Sequence, residues 1–140
     1  MQHLRPDDPL PRGSVIRFAY PLPERGLVTL PCLVLKAETR QGHATIALAP
    51  GLDLARGGPD GVPVTEPASL RAAGLHAPTA FRIDMRLIVS TAHPGLRSGP
   101  HLLGRITGAA LVRLDAIEAV HAAMRARRPR RRRRGSPRAA

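Results

Sequence analysis

Residues 29–37 read TLPCLVLKA, and the way this stretch is read decides the fold. Cys32 to Leu35 is an unbroken apolar run with a proline before it, a β-branched residue inside it and Lys36 at its exit. A run this short, so bounded, fits a strand covered on both faces better than a helix. The remaining elements must then pack on it.

Working outward, Ile16, Phe18 and Tyr20 alternate with Val15, Arg17 and Ala19, which predicts a strand over Ser14 to Tyr20 with one strongly buried face, ended by Pro21 and Pro23. Pro21 to Val28 (PLPERGLV) then reads as an exposed loop into the central strand. After Lys36, a polar turn over Glu38 to Gly42 leads to a return strand, His43 to Ala49, stopped by Pro50 and Gly51. Leu52 to Gly61 is too rich in glycine and proline to be regular. A short strand over Val62 to Thr65 and a brief helix over Ala68 to Ala73, capped by Gly74, follow.

Phe81 to Leu87 shows clear two-residue alternation, with Phe81, Ile83, Met85 and Leu87 on one side and Arg82, Asp84 and Arg86 on the other. Ile88 and Val89 continue that strand, Thr91 to Pro100 is a loop, and His101 to Arg105 is a further pairing segment. Gly108 to Ala126 predicts a helix with Thr107 at its N-cap. Its apolar stripe is Leu111, Leu114, Ile117, Val120, His121 and Met124, with Arg113, Asp115 and Glu118 facing water. The expected fold is mainly β with helix: a small curled antiparallel sheet or barrel with a C-terminal helix packed on it. It occupies residues 13–126, between a loose arm (1–12) and a disordered arginine-rich tail (127–140).

Composition narrows the functions. One Tyr, two Phe and no Trp leave no surface for base stacking, so any contact to RNA rests on charge and hydrogen bonds. The net charge of +12 is concentrated, because nine arginines fall in the last sixteen residues, Arg130, Arg131, Arg132, Arg133 and Arg134 in one block. Such a block repels itself and stays unfolded. It suits RNA or DNA phosphate or an acidic partner, and it equally fits a solvated tail. The single cysteine, Cys32, reads as a buried small hydrophobe, in keeping with a reducing cytoplasm. No stretch reaches membrane-spanning length and the N-terminus lacks an apolar signal core, so the expectation is a cytoplasmic chain without a membrane partner.

The common chemical motifs are missing: no phosphate-binding glycine loop, no cysteine pair for zinc, no HExxH, and six histidines without ligand spacing. No metal or other cofactor is implied. One constellation remains. Arg82 and Asp84, two apart on a strand, emerge on one face. A carboxylate there can draw the proton from an attacking 2′-hydroxyl while a guanidinium neutralises the phosphate. A solvent-facing ion pair has the same spacing.

The order GSVIRFAYP, LPCLVLKA, HATIALAP, AGLHAPTAFRIDMRLIV and LLGRITGAALVRLDAIEAV resembles the PemK/MazF family of toxins from bacterial toxin-antitoxin pairs, over about Gly13 to Met124. The resemblance implies an SH3-like barrel with a C-terminal helix, usually a homodimer. It also implies a metal-independent, sequence-selective endoribonuclease (a hydrolase) that leaves a 2′,3′-cyclic phosphate, and an antitoxin protein that blocks the RNA groove. Arg82 and Asp84 match the family's acid and base, and Glu24 matches an acidic residue of the first loop. The arginine that usually precedes the second-strand proline is here Leu30. A threonine or serine usual after the third strand is replaced by Pro50 and Gly51, and the first-loop histidine is missing. Arg25, Glu24 and Thr29 are then the candidate substrate-binding residues. A non-catalytic member that binds nucleic acid or a protein partner stays open beside the ribonuclease, as does a basic RNA-binding module outside the family.

Overall fold

The computed structural model describes residues 10–97 and 101–127. Seven strands run through them: β1 (Ser14–Leu22), β2 (Gly26–Arg40), β3 (His43–Leu52), β4 (Gly61–Val64), β5 (Thr79–Arg82), β6 (Leu87–Ser90) and β7 (His101–Arg105). The helices are α1 (Pro67–Ala73), the four-residue α2 (Pro94–Arg97) and α3 (Gly108–Arg127). The strands form one curled antiparallel sheet in the order β4-β5-β3-β2-β1-β7, with β6 also on β3.

The central strand is covered on both faces, as its apolar run implied. Leu33 and Leu35 lie in one core cluster with Val15, Phe81, Ile83 and, from α3, Leu114 and Ile117. Cys32 and Val34 lie in another with Ile16, Phe18, Tyr20 and Leu48. Successive residues of β2 point to opposite faces and so serve opposite clusters, and a bulge shifts the β2–β3 register between Val34 and Lys36. Burial pushes the Cys32 thiol up to about 12, so it is an inert part of this packing.

Four sequence expectations are corrected. The 21–28 loop is mostly strand: β1 and β2 pair as far as Leu22 and Gly26, leaving only Pro23, Glu24 and Arg25 to turn. Pro21 is accommodated because β7 pairs β1 only at Ser14 to Arg17, and the edge beyond asks for no donor there. The 38–42 turn likewise shrinks, since Arg40 already pairs with His43 across Gln41 and Gly42. Pro50 and Gly51 do not stop β3. That strand leaves β2 at Cys32 and Pro50, then pairs with β5 through Gly51 and Leu52. A Cβ on Gly51 would lie 2.9 Å from the Pro31 carbonyl, so the crossing needs glycine.

The fourth correction concerns Phe81 to Leu87, which is not one strand. β5 ends at Arg82, a 3₁₀ turn spans Ile83–Met85, and β6 begins at Leu87 to pair with β3. Alternation survives at Phe81 and Ile83, both buried, while Met85 and Leu87 are only half-buried. Lesser adjustments fall at the ends. Within the expected loose arm, Leu10 is buried and Arg12 pairs with Asp115 at 2.8 Å. In α3 the apolar stripe packs at Leu114 and Ile117 but leaves Val120 and Met124 exposed, and Glu118 meets Arg86 at 2.9 Å. Among the described residues no helix is long and apolar enough to cross a membrane. The arginine block 130–134 lies outside the described residues.

Candidate functional site

The 3₁₀ turn that interrupts the expected strand builds the Arg82–Asp84 pair. The turn after Arg82, between two strands that run the same way along β3, brings the Asp84 carboxylate alongside the guanidinium, which donates from Nε to Oδ1 at 2.8 Å and from Nη2 to Oδ2 at 2.5 Å. The third edge, Nη1, donates to the Arg56 carbonyl at 2.8 Å, tying the pair to the loop between β3 and β4. A two-pronged arginine–carboxylate contact is the most directional ion pair proteins make.

The charges follow from that contact. Hydrogen bonding to Arg82 holds the Asp84 carboxyl below the usual aspartate range, against a smaller opposing effect of burial, and the nearby His121 acts in the same downward sense. Arg82 is held more firmly protonated, chiefly by its bonds to Asp84 and secondarily by the Asp84 and Asp60 charges. Asp84 is therefore an ionised but weak proton acceptor at neutral pH, and Arg82 acts through charge rather than by releasing a proton.

Surrounding contacts fix the pair. The Ile83 N–H donates to the Asp60 carbonyl at 3.2 Å, and His121 Nε2 lies 3.6 Å from Asp60 Oδ1. The Tyr20 hydroxyl donates to the Met85 carbonyl, and burial first, then the Cys32 and Asp84 charges, raise its pKa. Arg113 of α3 donates to the Pro59 carbonyl at 2.8 Å. Helix, loop and turn thus converge on two side chains that remain partly open to solvent, 24% for Arg82 and 37% for Asp84.

The other expected site residues lie elsewhere. Glu24 and Arg25 are exposed at the β1–β2 turn, Glu24 with a left-handed φ of 68°. Among the described residues no side-chain hydrogen bond or ion pair joins either to Arg82 or Asp84. Leu30 packs against the second core cluster. Thr29 lines a groove of about 310 Å³, to which neither Arg82 nor Asp84 contributes.

That groove exists because β3 pairs with β2 only from Cys32 onward. Thr29, Leu30 and Pro31 have no β3 neighbour, and the far wall is made by Gly74 to Ala77, Thr79 and Leu103. Arg17 and His76 also line it. The sequence marks Arg17 only as the charged residue on the exposed side of β1. Its position opposite Pro31 depends on the hairpin register, which reading 21–28 as a loop conceals. His76 carries no spacing signal at all.

Among the described residues no three His, Cys, Asp or Glu side chains group to hold a metal ion. No protein-family model, curated protein or solved structure matches the chain.

Proposed function

We propose that the chain is a PemK/MazF-like toxin, a metal-independent, sequence-selective endoribonuclease on single-stranded RNA, built on an SH3-like barrel that dimerises and is restrained by an antitoxin. The observation that carries this reading is the Arg82–Asp84 pair. It stands at the positions that match the family's acid and base, it is partly open to solvent, and its carboxylate is ionised at neutral pH.

In that reaction the RNA 2′-oxygen attacks phosphorus while its proton passes to Asp84. The P–O5′ bond breaks, giving a 2′,3′-cyclic phosphate, and the departing 5′-oxygen takes a proton from solvent. The family resemblance gives that proton to Arg82. With its charge locked by Asp84, Arg82 is better suited to stabilising the pentavalent phosphate.

A second reading has its own support. Each nitrogen of the Arg82 guanidinium already donates within the protein, and Leu30, in the place of the usual phosphate-binding arginine, packs against the core. A barrel with those features binds nucleic acid or a protein partner without cleaving. The two readings part when wild type and Asp84→Asn are incubated with mixed-sequence single-stranded RNA in chelator. Ribonuclease activity gives 2′,3′-cyclic ends and falls about 100-fold or more in the variant. Intact RNA with a folded wild type removes the enzyme and leaves the binding module.

A further inference from the structure

We infer that the groove between the start of β2 and the α1–β5 connection is a phosphate-ester site in which Arg17 supplies the cation. The inference deepens the RNA reading by naming how the chain holds phosphate without the arginine replaced by Leu30, and it rests on that reading only for which phosphate ester is bound.

Four observations converge. The groove, at about 310 Å³, is of ligand size. No Asp or Glu lines it, whereas Arg17 does. Arg12, Arg82 and Arg86 are each neutralised by a carboxylate, but Arg17 makes no side-chain ion pair or hydrogen bond among the described residues. Its guanidinium, a fork of five N–H donors that matches two phosphate oxygens, is therefore unclaimed at a residue that lines the groove. Thr29 and His76, which also line the groove, add side chains able to donate hydrogen bonds.

The remaining lining specifies the rest of the ligand. Leu30, Leu75 and Leu103 give an apolar floor without any aromatic ring. A compact nucleoside body can lie against them by shape, with its phosphate toward Arg17. An unpaired cation at the side of a concave groove raises the local concentration of anions. A free mononucleotide and an internal phosphate of an RNA chain share this chemistry.

The test follows amide NMR shifts of the full chain during titration with uridine and adenosine monophosphates, and separately with an all-2′-deoxy octanucleotide that cannot undergo 2′-hydroxyl attack. The same titrations are run on Arg17→Gln and Arg17→Lys, with circular dichroism confirming their fold. Saturable shifts at Thr29 and His76, weakened about tenfold or more by Arg17→Gln and less by Arg17→Lys, support the site. If mononucleotides produce them, the ligand is a free nucleotide. If only the octanucleotide does, it is a nucleic-acid chain. No shift at these residues, or shifts that Arg17→Gln leaves unaltered, overturn the inference. RNA cleavage by the wild type is scored separately, so binding here without cleavage retains this site and removes the nuclease.

Discussion

Asp84 presents both carboxylate oxygens to one guanidinium, so its contribution to stability depends on pH in a fixed sense. Its folded-state pKa lies below the unfolded one, which means that folding favours the ionised form. The stabilisation is fully present above the unfolded value, near 4, and is lost as pH falls through the lower folded value. Because the side chain is 37% exposed, solvent screening limits the effect to about 0.5–1 kcal/mol. Asp84→Asn should lose about that much in urea unfolding at neutral pH, and the gap to wild type should close below about pH 4. A gap that stays constant into strong acid would assign the effect to packing rather than charge. The same substitution in the RNA assay reads the chemical role, so the residue's structural and functional contributions separate.

At the scale of elements, α1 and β7 interlock through two glycines that matter for the groove. A Cβ on Gly74 would lie 2.1 Å from the Leu103 carbonyl oxygen, and one on Gly104 would lie 2.2 Å from that of Ala72. Backbone cannot yield there as a flexible side chain could. Gly26 provides a comparison: its φ of +76° is equally left-handed, but a Cβ would meet nothing within 4 Å. Gly26→Ala should cost about 1 kcal/mol for conformation alone. Gly74→Ala and Gly104→Ala should cost at least about 2 kcal/mol each, read by urea unfolding, and should weaken nucleotide shifts at Thr29 because Leu75 and Leu103 line the groove. Equal costs at all three glycines would show that the α1–β7 contact is not tight.

Much of this level was legible from residue pattern. The doubly buried central strand follows from an apolar run, and α1 with its left-handed Gly74 cap follows from local composition. The failures have a common cause: proline and glycine mark a change of direction without saying whether the strand ends. Pro21 lies on an unpaired edge and Pro50–Gly51 at a change of partner, and both chains of hydrogen bonds continue past them. Phe81 to Leu87 fails differently, because a 3₁₀ turn that buries Ile83 and exposes Asp84 imitates strand alternation. The adjacency of Arg82 and Asp84 is legible in the sequence because either geometry places them side by side. The groove was hidden because it depends on where β3 leaves β2, a long-range fact with no local trace.

At the scale of the whole molecule, charge divides the chain. In the body Arg12, Arg82 and Arg86 are each paired with a carboxylate and Arg17 lines the groove, while nine of the chain's arginines crowd into its last sixteen residues. The two populations should contribute different things to RNA binding. Diffuse arginines release counterions and give affinity that falls with salt, by about 0.7 in log–log slope for each single-stranded phosphate they neutralise. A fixed arginine in a groove contributes at most one such increment but imposes a position. Removing residues 129–140 deletes six arginines, so the slope should fall by as much as about 4. The thermal midpoint should move little, because the deleted segment has only two alanines to bury. Arg17→Gln should then weaken binding by the same factor in the truncated chain as in the full one, since distant, independent sites add. An unchanged slope after truncation would show that the tail does not contact RNA. A loss of the Arg17 effect would show that tail and groove hold the same phosphates, and the division of labour would fail.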